Sequence, residues 1–296
     1  MNTDLGTTFT GVITDENEEF VFVQKNGRVY RLAKTEGEFA LGQSINGFAY
    51  SNTKGTLSFT TVIPKSRVGA YAFGEVTNVR RDLGVFVDIG LPDKEIVVSM
   101  DTLPEMRELW PKEGDRLKIA LTVDKKDRIW GELAPEANFR TVARKADEKL
   151  KNHDVTGTVF RLKIVGTYLL TEDFHLGFIH PSERFREPRL GEKITGRVVG
   201  VRPDGILNIS LKPRAYESIE PDALMLLTVL EKSAEGKIPF TDKSTPEEIK
   251  NTFGISKGQF KRAIGNLLKQ NKIEQKDGFT VLKESENHDS NEITEA

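Results

Sequence analysis

The feature that most constrains this sequence is an internal repeat, because one order of short strands and turns occurs three times along the chain. The second copy shows the order most clearly. A strand opens at Phe73, and residues 84–90 then alternate apolar and polar side chains as a half-buried strand does. Three further strands follow over 95–99, 116–123 and 128–133. Five short strands in one unit predict a small closed barrel of the oligonucleotide-binding (OB) type.

The other two copies follow the same order with different fidelity. The third copy repeats it closely, with strands predicted over 155–159, 166–170, 176–183, 194–201 and 207–211. The first copy is degenerate, with strands predicted over 9–14, 20–24, 29–33, 45–50 and 57–61. Each copy enters its fourth strand through a turn in which glycine precedes an acidic or polar residue. Three tandem barrels are therefore predicted.

Beyond residue 213 the pattern changes to three helices and a hairpin. An apolar helix is predicted over 223–230, and residues 244–248 mark a second helix start with a capping hydroxyl, a proline and two acids. The third helix is predicted to begin after the N-cap Ser256, and the Asp-Gly pair at 277–278 indicates a tight hairpin. Three helices followed by a hairpin are the parts of a winged helix.

The predicted fold class is multidomain and mainly β, with an α+β C-terminal part. Residues 136–152 are predicted as a rigid helical connector, since Phe139, Val142 and Ala146 recur at helical spacing. The predicted organisation is a degenerate barrel over 1–63, a barrel over 66–135, the connector over 136–152, a barrel over 153–213, a winged helix over 217–283 and a disordered tail over 284–296.

Composition excludes several classes of protein. There are no cysteines, so disulfides and thiolate chemistry are absent, and the four histidines have no metal-ligand spacing. No apolar run approaches a membrane span, and the acidic N-terminus is unlike a signal peptide, so a cytoplasmic protein without a cofactor or metal is expected. His180, Ser182 and Glu183 lack the turn of a hydrolase nucleophile, so no enzymatic activity is expected.

Several stretches of the sequence resemble a known repeat. Residues 177–183, Gly-Phe-Ile-His-Pro-Ser-Glu, resemble the signature of the S1 RNA-binding repeat, and residues 84–87 and 207–211 resemble its second and closing strands. Three such repeats before a winged helix resemble the conserved virulence factor B family of low-GC Gram-positive bacteria, especially over 82–99 and 253–260. The resemblance implies an RNA-binding regulator that influences the expression of virulence factors.

An OB barrel binds single strands on the face of its second and third strands, where exposed aromatic rings stack on bases. Phe86 is predicted to face outward if Val85 and Val87 face the core, and Tyr168 aligns with it in the third copy. Phe73 and His180 complete the aromatic candidates, and the resemblance favours Phe86, Tyr168 and His180. The candidate phosphate contacts are Arg80, Arg81, Lys94, Lys118, Arg128, Arg161, Lys163 and Arg197.

Structural alternatives remain open at each of these positions. A register change of one residue would bury Phe86, and His180 could fix a turn rather than bind RNA. Trp110 and Trp130 are interpreted as packing residues. Val98 is interpreted as the equivalent of His180 in the second copy, so weaker RNA binding is expected there. The first copy has Phe22 and Tyr30 but an acidic opening loop, and a weak or structural role is expected for it.

The third helix of the winged domain has basic side chains without an acidic residue between Ser256 and Ile273. Its candidate nucleic-acid contacts are Lys257, Lys261, Arg262, Lys269 and Lys272. The alternative is an ordinary solvated helix face. The expected partner is single-stranded RNA, with duplex nucleic acid as a second ligand of the winged helix and no membrane partner. A DNA-binding transcription regulator and a ribosome-associated or protein-interaction scaffold are the alternatives, and the oligomeric state is not predicted.

Overall fold

The structure is a computed structural model that describes residues 4–213, 221–233 and 235–283. The chain divides into two compact units, Met1–Lys212 and Pro213–Ala296. The first unit contains three closed five-stranded barrels, and the second contains helices and a small sheet. The predicted fold class is confirmed, whereas the predicted tail over 284–296 lies outside the described residues.

Each barrel closes in the same strand order, because its third and fifth strands pair in parallel and all other neighbours are antiparallel. Barrel 1 consists of β1 (Thr8–Glu16), β2 (Phe20–Lys25), β3 (Arg28–Ala33), β4 (Ser44–Ser51) and β5 (Leu57–Thr60). Barrel 2 consists of β6 (Ala72–Arg80), β7 (Gly84–Asp88), β8 (Ile96–Ser99), β9 (Arg116–Val123) and β10 (Ile129–Leu133). Barrel 3 consists of β11 (Asp154–Lys163), β12 (Gly166–Thr171), β13 (Leu176–Ile179), β14 (Lys193–Val201) and β15 (Leu207–Ser210).

The first strand of every barrel is interrupted by a bulge at the same place. The register shifts between Ile13 and Asp15 in β1, between Val76 and Asn78 in β6, and after Val159 in β11. A bulge bends a strand and increases its twist, so one long strand can pair with the second strand at one end and the fourth at the other. The bulge also sets which residues of the first strand face outward beside the second strand.

Barrels 2 and 3 are joined by the turns that precede their fourth strands. Asp115 accepts a hydrogen bond from the backbone N–H of Lys112 at 2.8 Å, and Glu192 accepts one from Arg189 at 2.8 Å. Arg189 also reaches across to Asp115, with its Nε 3.1 Å from Oδ2. The backbone N–H of Arg116 donates to the carbonyl of Gly191 at 2.9 Å. These polar contacts are largely buried, so they fix one barrel against the other.

The connector between these barrels is less helical than predicted. Helix α1 (Glu136–Val142) has seven residues, after which the chain is extended up to a single 3₁₀ turn at Glu148–Leu150. The backbone N–H of Arg144 donates to the carbonyl of Phe174 at 2.7 Å, and that of Ala146 donates to Gly205 at 3.1 Å. These bonds to barrel 3 replace the bonds of a longer helix, so tertiary contact overrides the helical periodicity.

The second unit contains the predicted helices and hairpin. Its elements are α2 (Pro221–Lys232), β16 (Lys237–Ile238), α3 (Pro246–Phe253), α4 (Lys257–Lys269), β17 (Ile273–Lys276) and β18 (Phe279–Leu282). Thr245 caps α3 and Ser256 caps α4, each in a capping box with a side chain three residues later. Asp277 and Gly278 both have positive φ angles, 53° and 84°, as a two-residue hairpin turn requires. The helix starts and the hairpin predicted from the sequence are confirmed.

The described helices include none that is long and apolar enough to cross a membrane. Among the same residues no group of three or more histidine, aspartate or glutamate side chains is arranged to hold a metal ion.

Candidate nucleic-acid interface

The outer face of barrel 2 carries a row of neighbouring side chains that crosses all five strands. Phe86 lies opposite Asn78 on β6 and opposite Val97 on β8. Trp130 on β10 lies beside Val97, and Thr122 on β9 completes the row. Because Val85 and Val87 are fully buried, alternation along β7 leaves Phe86 on the outer face. We call the five residues Asn78, Phe86, Val97, Trp130 and Thr122 the barrel 2 row.

Trp130 has a polar environment within this row. The Arg128 guanidinium lies 5.4 Å from its ring centroid, and its Nε1–H donates to Asp124 at 3.2 Å. Arg128 also pairs with Asp124 at 2.7 Å. The backbone N–H and guanidinium of Arg128 hold the pKa of the Asp124 carboxyl well below its usual range. Trp110 is buried and donates to the carbonyl of Pro104, so only one of the two tryptophans lies in the core.

Barrel 3 presents the equivalent row, which also contains two aromatic residues. Arg161, Tyr168, Phe178, Asn208 and Gly200 are successive cross-strand neighbours. The rings of Tyr168 and Phe178 meet edge to face with centroids 5.0 Å apart. This barrel 3 row therefore combines a half-exposed tyrosine with a cation and an amide.

His180 follows β13 and is exposed at the end of the barrel 3 face. Its Nδ1 accepts a hydrogen bond from the backbone N–H of Ser182 at 3.2 Å and lies 2.7 Å from the Ser182 hydroxyl. In barrel 2 the residue that caps the corresponding turn is Ser99. The strand registers agree, since Val97 pairs with Phe86 as Phe178 pairs with Tyr168. The predicted equivalence of Val98 with His180 is therefore wrong by one residue, because the second and third copies have different spacing before this strand.

Four candidate cations of barrels 2 and 3 differ in whether they form an ion pair within the protein. Arg80 pairs with Asp82 at 2.7 Å, and Lys163 pairs with Glu136 at 2.8 Å while its Nζ lies 5.0 Å from the Tyr168 ring centroid. Arg81 and Arg161 are exposed and form no ion pair within the described ranges. These last two are accessible to an anionic ligand without breaking an internal pair.

Three other candidates lie at junctions rather than on a row. Lys94 donates to the backbone carbonyl of Ser51 in barrel 1, and Lys118 donates to that of Asn138 at 3.3 Å. Burial lowers the pKa of both lysines. Phe73 lies between the Arg116 guanidinium, 5.3 Å from its centroid, and the ring of Phe139 at 6.4 Å.

Arg197 occupies β14 of barrel 3, where its neighbours in the ladder are Asp154 and Ser210. Its Nε is buried and has no hydrogen-bond partner in the described part of the chain. A buried guanidinium nitrogen without a partner is unfavourable, so this position costs the fold some stability.

Comparison with known proteins accounts for the whole series of domains. The model of the virulence regulatory factor CvfB, second domain, matches residues 139–213, and that of the CvfB first S1-like domain matches 71–132. A CvfB-like winged helix domain matches 224–282, and an S1 domain matches 5–62. The chain is 35% identical to conserved virulence factor B of Staphylococcus epidermidis over 93% of each protein. The chain belongs to the CvfB family.

Two further relatives are similar to most of the chain. Protein YitL of Bacillus subtilis, described as uncharacterized, is 40% identical over 80% of this chain and 78% of its own length. A crystal structure from Streptococcus pneumoniae, described as a multidomain protein with nucleic acid binding domains, is 52% identical and has a TM-score of 0.70. It covers 95% of this chain and 99% of its own. The CvfB family is a family of regulatory factors built from nucleic-acid-binding domains, so the family predicted from the sequence is confirmed.

In this CvfB-family chain, barrel 1 differs from the other two barrels on the equivalent face. Asp15, Phe22, Arg31, Ser58 and Tyr50 are the cross-strand neighbours there. Tyr50 is only 3% exposed, and its hydroxyl donates to Asp93 of barrel 2 at 2.7 Å. Burial and the nearby Asp93 carboxylate raise its pKa. One end of the row of barrel 1 is therefore covered by barrel 2. Tyr30, a second aromatic candidate, is fully buried in the core.

The CvfB-like winged helix places its candidate cations on the surface of α4 and just beyond it. Lys261, Arg262, Lys269 and Lys272 are exposed, and Lys257 is half-buried in the first turn. The opposite side of α4 is apolar and fills the core of the second unit with Phe260, Ala263, Ile264 and Leu267. The amphipathic pattern of α4 therefore separates a core side from a basic side.

Sequence reasoning missed the outward position of Trp130 in the barrel 2 row and two side chains that contact the rows, Asp124 in barrel 2 and Arg202 in barrel 3. Arg202 lies 4.2 Å from the Phe178 ring centroid, and its Nε donates to Asn208 at 2.8 Å. Both Asp124 and Arg202 open the hairpin between the fourth and fifth strands. The position of that turn in the repeat was visible in the sequence, but the direction of the side chain was not.

Proposed function

We propose that this CvfB-family protein binds single-stranded RNA through the barrel 2 row and the barrel 3 row. The winged helix adds affinity, and the protein acts in post-transcriptional control of gene expression, including that of virulence factors. The observation that carries the proposal is the equivalent position of Phe86 and Tyr168, each on the second strand of its barrel and half-exposed on the outer face. The curated relatives named conserved virulence factor B support the regulatory role.

The chemistry of the rows suits unpaired bases. An aromatic ring on an open sheet face stacks on a base, and each such stack contributes about 1–3 kcal/mol whatever the base. Tyr168 and Phe86 are both half-exposed, so each can present part of a ring to a ligand. Bases in a duplex are already stacked and are inaccessible to such a surface. A single strand is therefore the ligand that the rows favour.

Phosphate contacts complete the proposed interface. Arg81 follows β6 of barrel 2, and Arg161 neighbours Tyr168 in the barrel 3 row. Neither forms an internal ion pair in the part of the chain that the structure describes. Replacing the counterions of RNA phosphates by such side chains makes binding favourable and dependent on salt.

The rigid junction between barrels 2 and 3 strengthens the proposal. Arg189 of barrel 3 forms a hydrogen-bonded ion pair with Asp115 of barrel 2. This contact restricts the distance between the two rows, so an RNA strand that is bound to one row stays near the other row. Binding at the second row is then intramolecular, and its effective concentration exceeds that of a free fragment. Two weak sites therefore produce one stronger interaction.

Fluorescence anisotropy with labelled single-stranded RNA, single-stranded DNA and duplex DNA of equal length tests the proposal. We expect the tightest binding for single-stranded RNA, with affinity that falls as salt rises. Tighter binding to duplex DNA would indicate that the winged helix is the main nucleic-acid-binding site. Absence of binding to all three would favour a protein partner, as for a ribosome-associated scaffold.

A second candidate function is duplex DNA binding led by the winged helix. The observation that favours it is the exposed basic side of α4, because a basic recognition helix is the usual major-groove reader. The second unit has its own apolar core, so it is suitable for study as a fragment. A preference for duplex DNA that persists after deletion of residues 1–213 would support this function.

A further inference from the structure

One turn position is equivalent in all three barrels. The hairpin between the fourth and fifth strands opens at Asn52, Asp124 and Arg202, respectively. The backbone N–H of each donates to the carbonyl four residues later, at 2.9, 2.9 and 2.8 Å. The carbonyl of each accepts from the residue three positions later, at 3.0, 3.0 and 2.8 Å. The three turns have the same backbone bonds, so their first residues differ only in the chemistry of the side chain.

Asn52 and Asp124 use their side chains to close their own turns. The Asn52 Oδ1 accepts from the backbone N–H of Lys54 at 3.0 Å and of Thr56 at 2.9 Å. The Asp124 Oδ1 accepts from Lys126 at 2.8 Å and from Arg128 at 3.0 Å. Such bonds from a short oxygen acceptor are the usual reason for Asn or Asp at the start of a turn.

Arg202 has no acceptor and cannot make these bonds. In barrel 3 the carboxylate of Asp204 takes over part of this role, because it accepts from the backbone N–H of Ile206 at 3.2 Å. The Arg202 side chain is instead directed onto the outer face. It lies 4.2 Å from the Phe178 ring centroid, and its Nε donates to the Asn208 Oδ1 at 2.8 Å.

These two contacts fix the guanidinium but leave its outer donors available. The ring contact and the Nε bond restrict the orientation of the planar group. The Nη groups make no hydrogen bond or ion pair in the described part of the chain. Tyr168 lies on the neighbouring strand to Phe178, about 5 Å away in the sheet. The edge of a base stacked on Tyr168 would therefore face a held pair of donors.

We infer that Arg202 makes barrel 3 select guanine over adenine in single-stranded RNA. Guanine presents two acceptors, O6 and N7, on one edge, and this pair matches two guanidinium N–H donors. Adenine places an amino group beside N7, so one arginine donor would face another donor. The inference rests on the proposed binding of RNA to the barrel 3 row.

The experiment compares two labelled RNAs that contain uridine with guanosine, or with adenosine, at every third position. We expect the full-length protein to bind the guanosine RNA about tenfold more tightly in anisotropy titrations. Inosine keeps O6 and N7 and should retain the preference. Replacement of guanosine by 7-deazaguanosine removes N7 and should weaken the preference for the guanosine RNA.

Substitutions at Arg202 test whether this side chain causes the preference. Arg202→Met keeps an apolar contact with Phe178 without any donor, and we expect equal binding of the two RNAs. Arg202→Lys keeps the charge but not the planar fork, and we expect near-normal affinity for the adenosine RNA with a reduced preference. The matched control is Arg161→Gln in the barrel 3 row, which should weaken the binding of both RNAs by the same factor. Equal thermal unfolding temperatures would show that the variants are folded.

The outcomes separate this inference from the proposed function. Equal binding of the guanosine and adenosine RNAs by the unmodified protein would overturn the selection of guanine while leaving RNA binding intact. A preference that persists in Arg202→Met would equally overturn the role of Arg202. Failure of the unmodified protein to bind any single-stranded RNA would overturn both the inference and the proposed function.

Discussion

At the residue scale, Phe86 of the proposed interface alternates with core side chains along β7. Val85 and Val87 fill barrel 2, and Phe86 between them faces outward. A shift of one residue in register would exchange these environments. Buried valines on both sides therefore fix the aromatic ring on the outer face of the barrel.

The first prediction concerns the rings and the histidine of the proposed interface. Replacing Phe86, Tyr168 and His180 together with alanine should raise the Kd for single-stranded RNA by at least about tenfold, because removal of each stack costs about 1–3 kcal/mol. Anisotropy titration measures the change. Phe174→Ala is the matched control, since Phe174 is an exposed aromatic residue outside both rows. Unchanged affinity in a folded triple variant would contradict the assignment of these sites.

The second prediction concerns acid stability and Asp124. Because its pKa is lowered in the folded protein, the carboxylate stabilises the fold above its unfolded pKa of about 4, and this contribution is lost as pH falls through the folded value. We expect Asp124→Asn to reduce the loss of stability between about pH 5 and pH 3. Urea denaturation of both proteins at these two pH values measures the loss in the free energy of unfolding. The same pH dependence in both proteins would show that Asp124 does not contribute.

At the element scale, the connector behaves as part of barrel 3. The ring of Phe139 on α1 lies 4.0 Å from that of Phe160 on β11 and nearly parallel to it, and Phe139 is only 3% exposed. Glu136 on the same helix pairs with Lys163 of β11. A short helix of seven residues is only marginally stable alone, so these contacts account for its formation.

The third prediction tests this dependence. Phe139→Ala should lower the free energy of unfolding of the barrel unit by about 3–5 kcal/mol, because it removes a buried ring and leaves a cavity. Val142→Ala on the same helix is the control, and its effect should be within about 0.5 kcal/mol, as is usual for exposed positions. Urea denaturation, monitored by tryptophan fluorescence, compares the free energies of unfolding of the two variants. Equal effects would mean that the connector is not held by Phe139.

At the scale of the whole molecule, charge is distributed unevenly although the net charge is only −2. Residues 4–135 contain 17 Lys and Arg against 20 Asp and Glu. Residues 136–213 contain 14 Lys and Arg against 10 Asp and Glu. The attraction for phosphate is therefore stronger in the connector and barrel 3 than in barrels 1 and 2, and a near-neutral total does not argue against nucleic-acid binding.

The fourth prediction concerns the basic side of the winged helix. Replacing Lys261, Arg262, Lys269 and Lys272 with alanine should weaken RNA binding and make the salt slope shallower by about one for each phosphate that the variant no longer binds. Anisotropy titrations at several salt concentrations measure both quantities. The control replaces Lys232, Lys243 and Lys250, which are exposed on other parts of the same unit. An equal change in the control would indicate a general effect of charge rather than a site.

By itself, the sequence determined the three repeats, their strand order, the capped helices and the terminal hairpin. These features depend on local periodicity and on turn chemistry, which short stretches of chain contain. The outward direction of Phe86 also followed from alternation within one strand.

Only the tertiary structure decided the end of α1 at Val142, the equivalence of Ser99 with His180, and the contacts of Lys94 and Lys118 with backbone carbonyls. It also decided that Arg202 lies over Phe178. The physical reason is that each of these depends on a partner from another strand or another domain. Local pattern contains no information on which distant acceptor, ring or turn a side chain will meet.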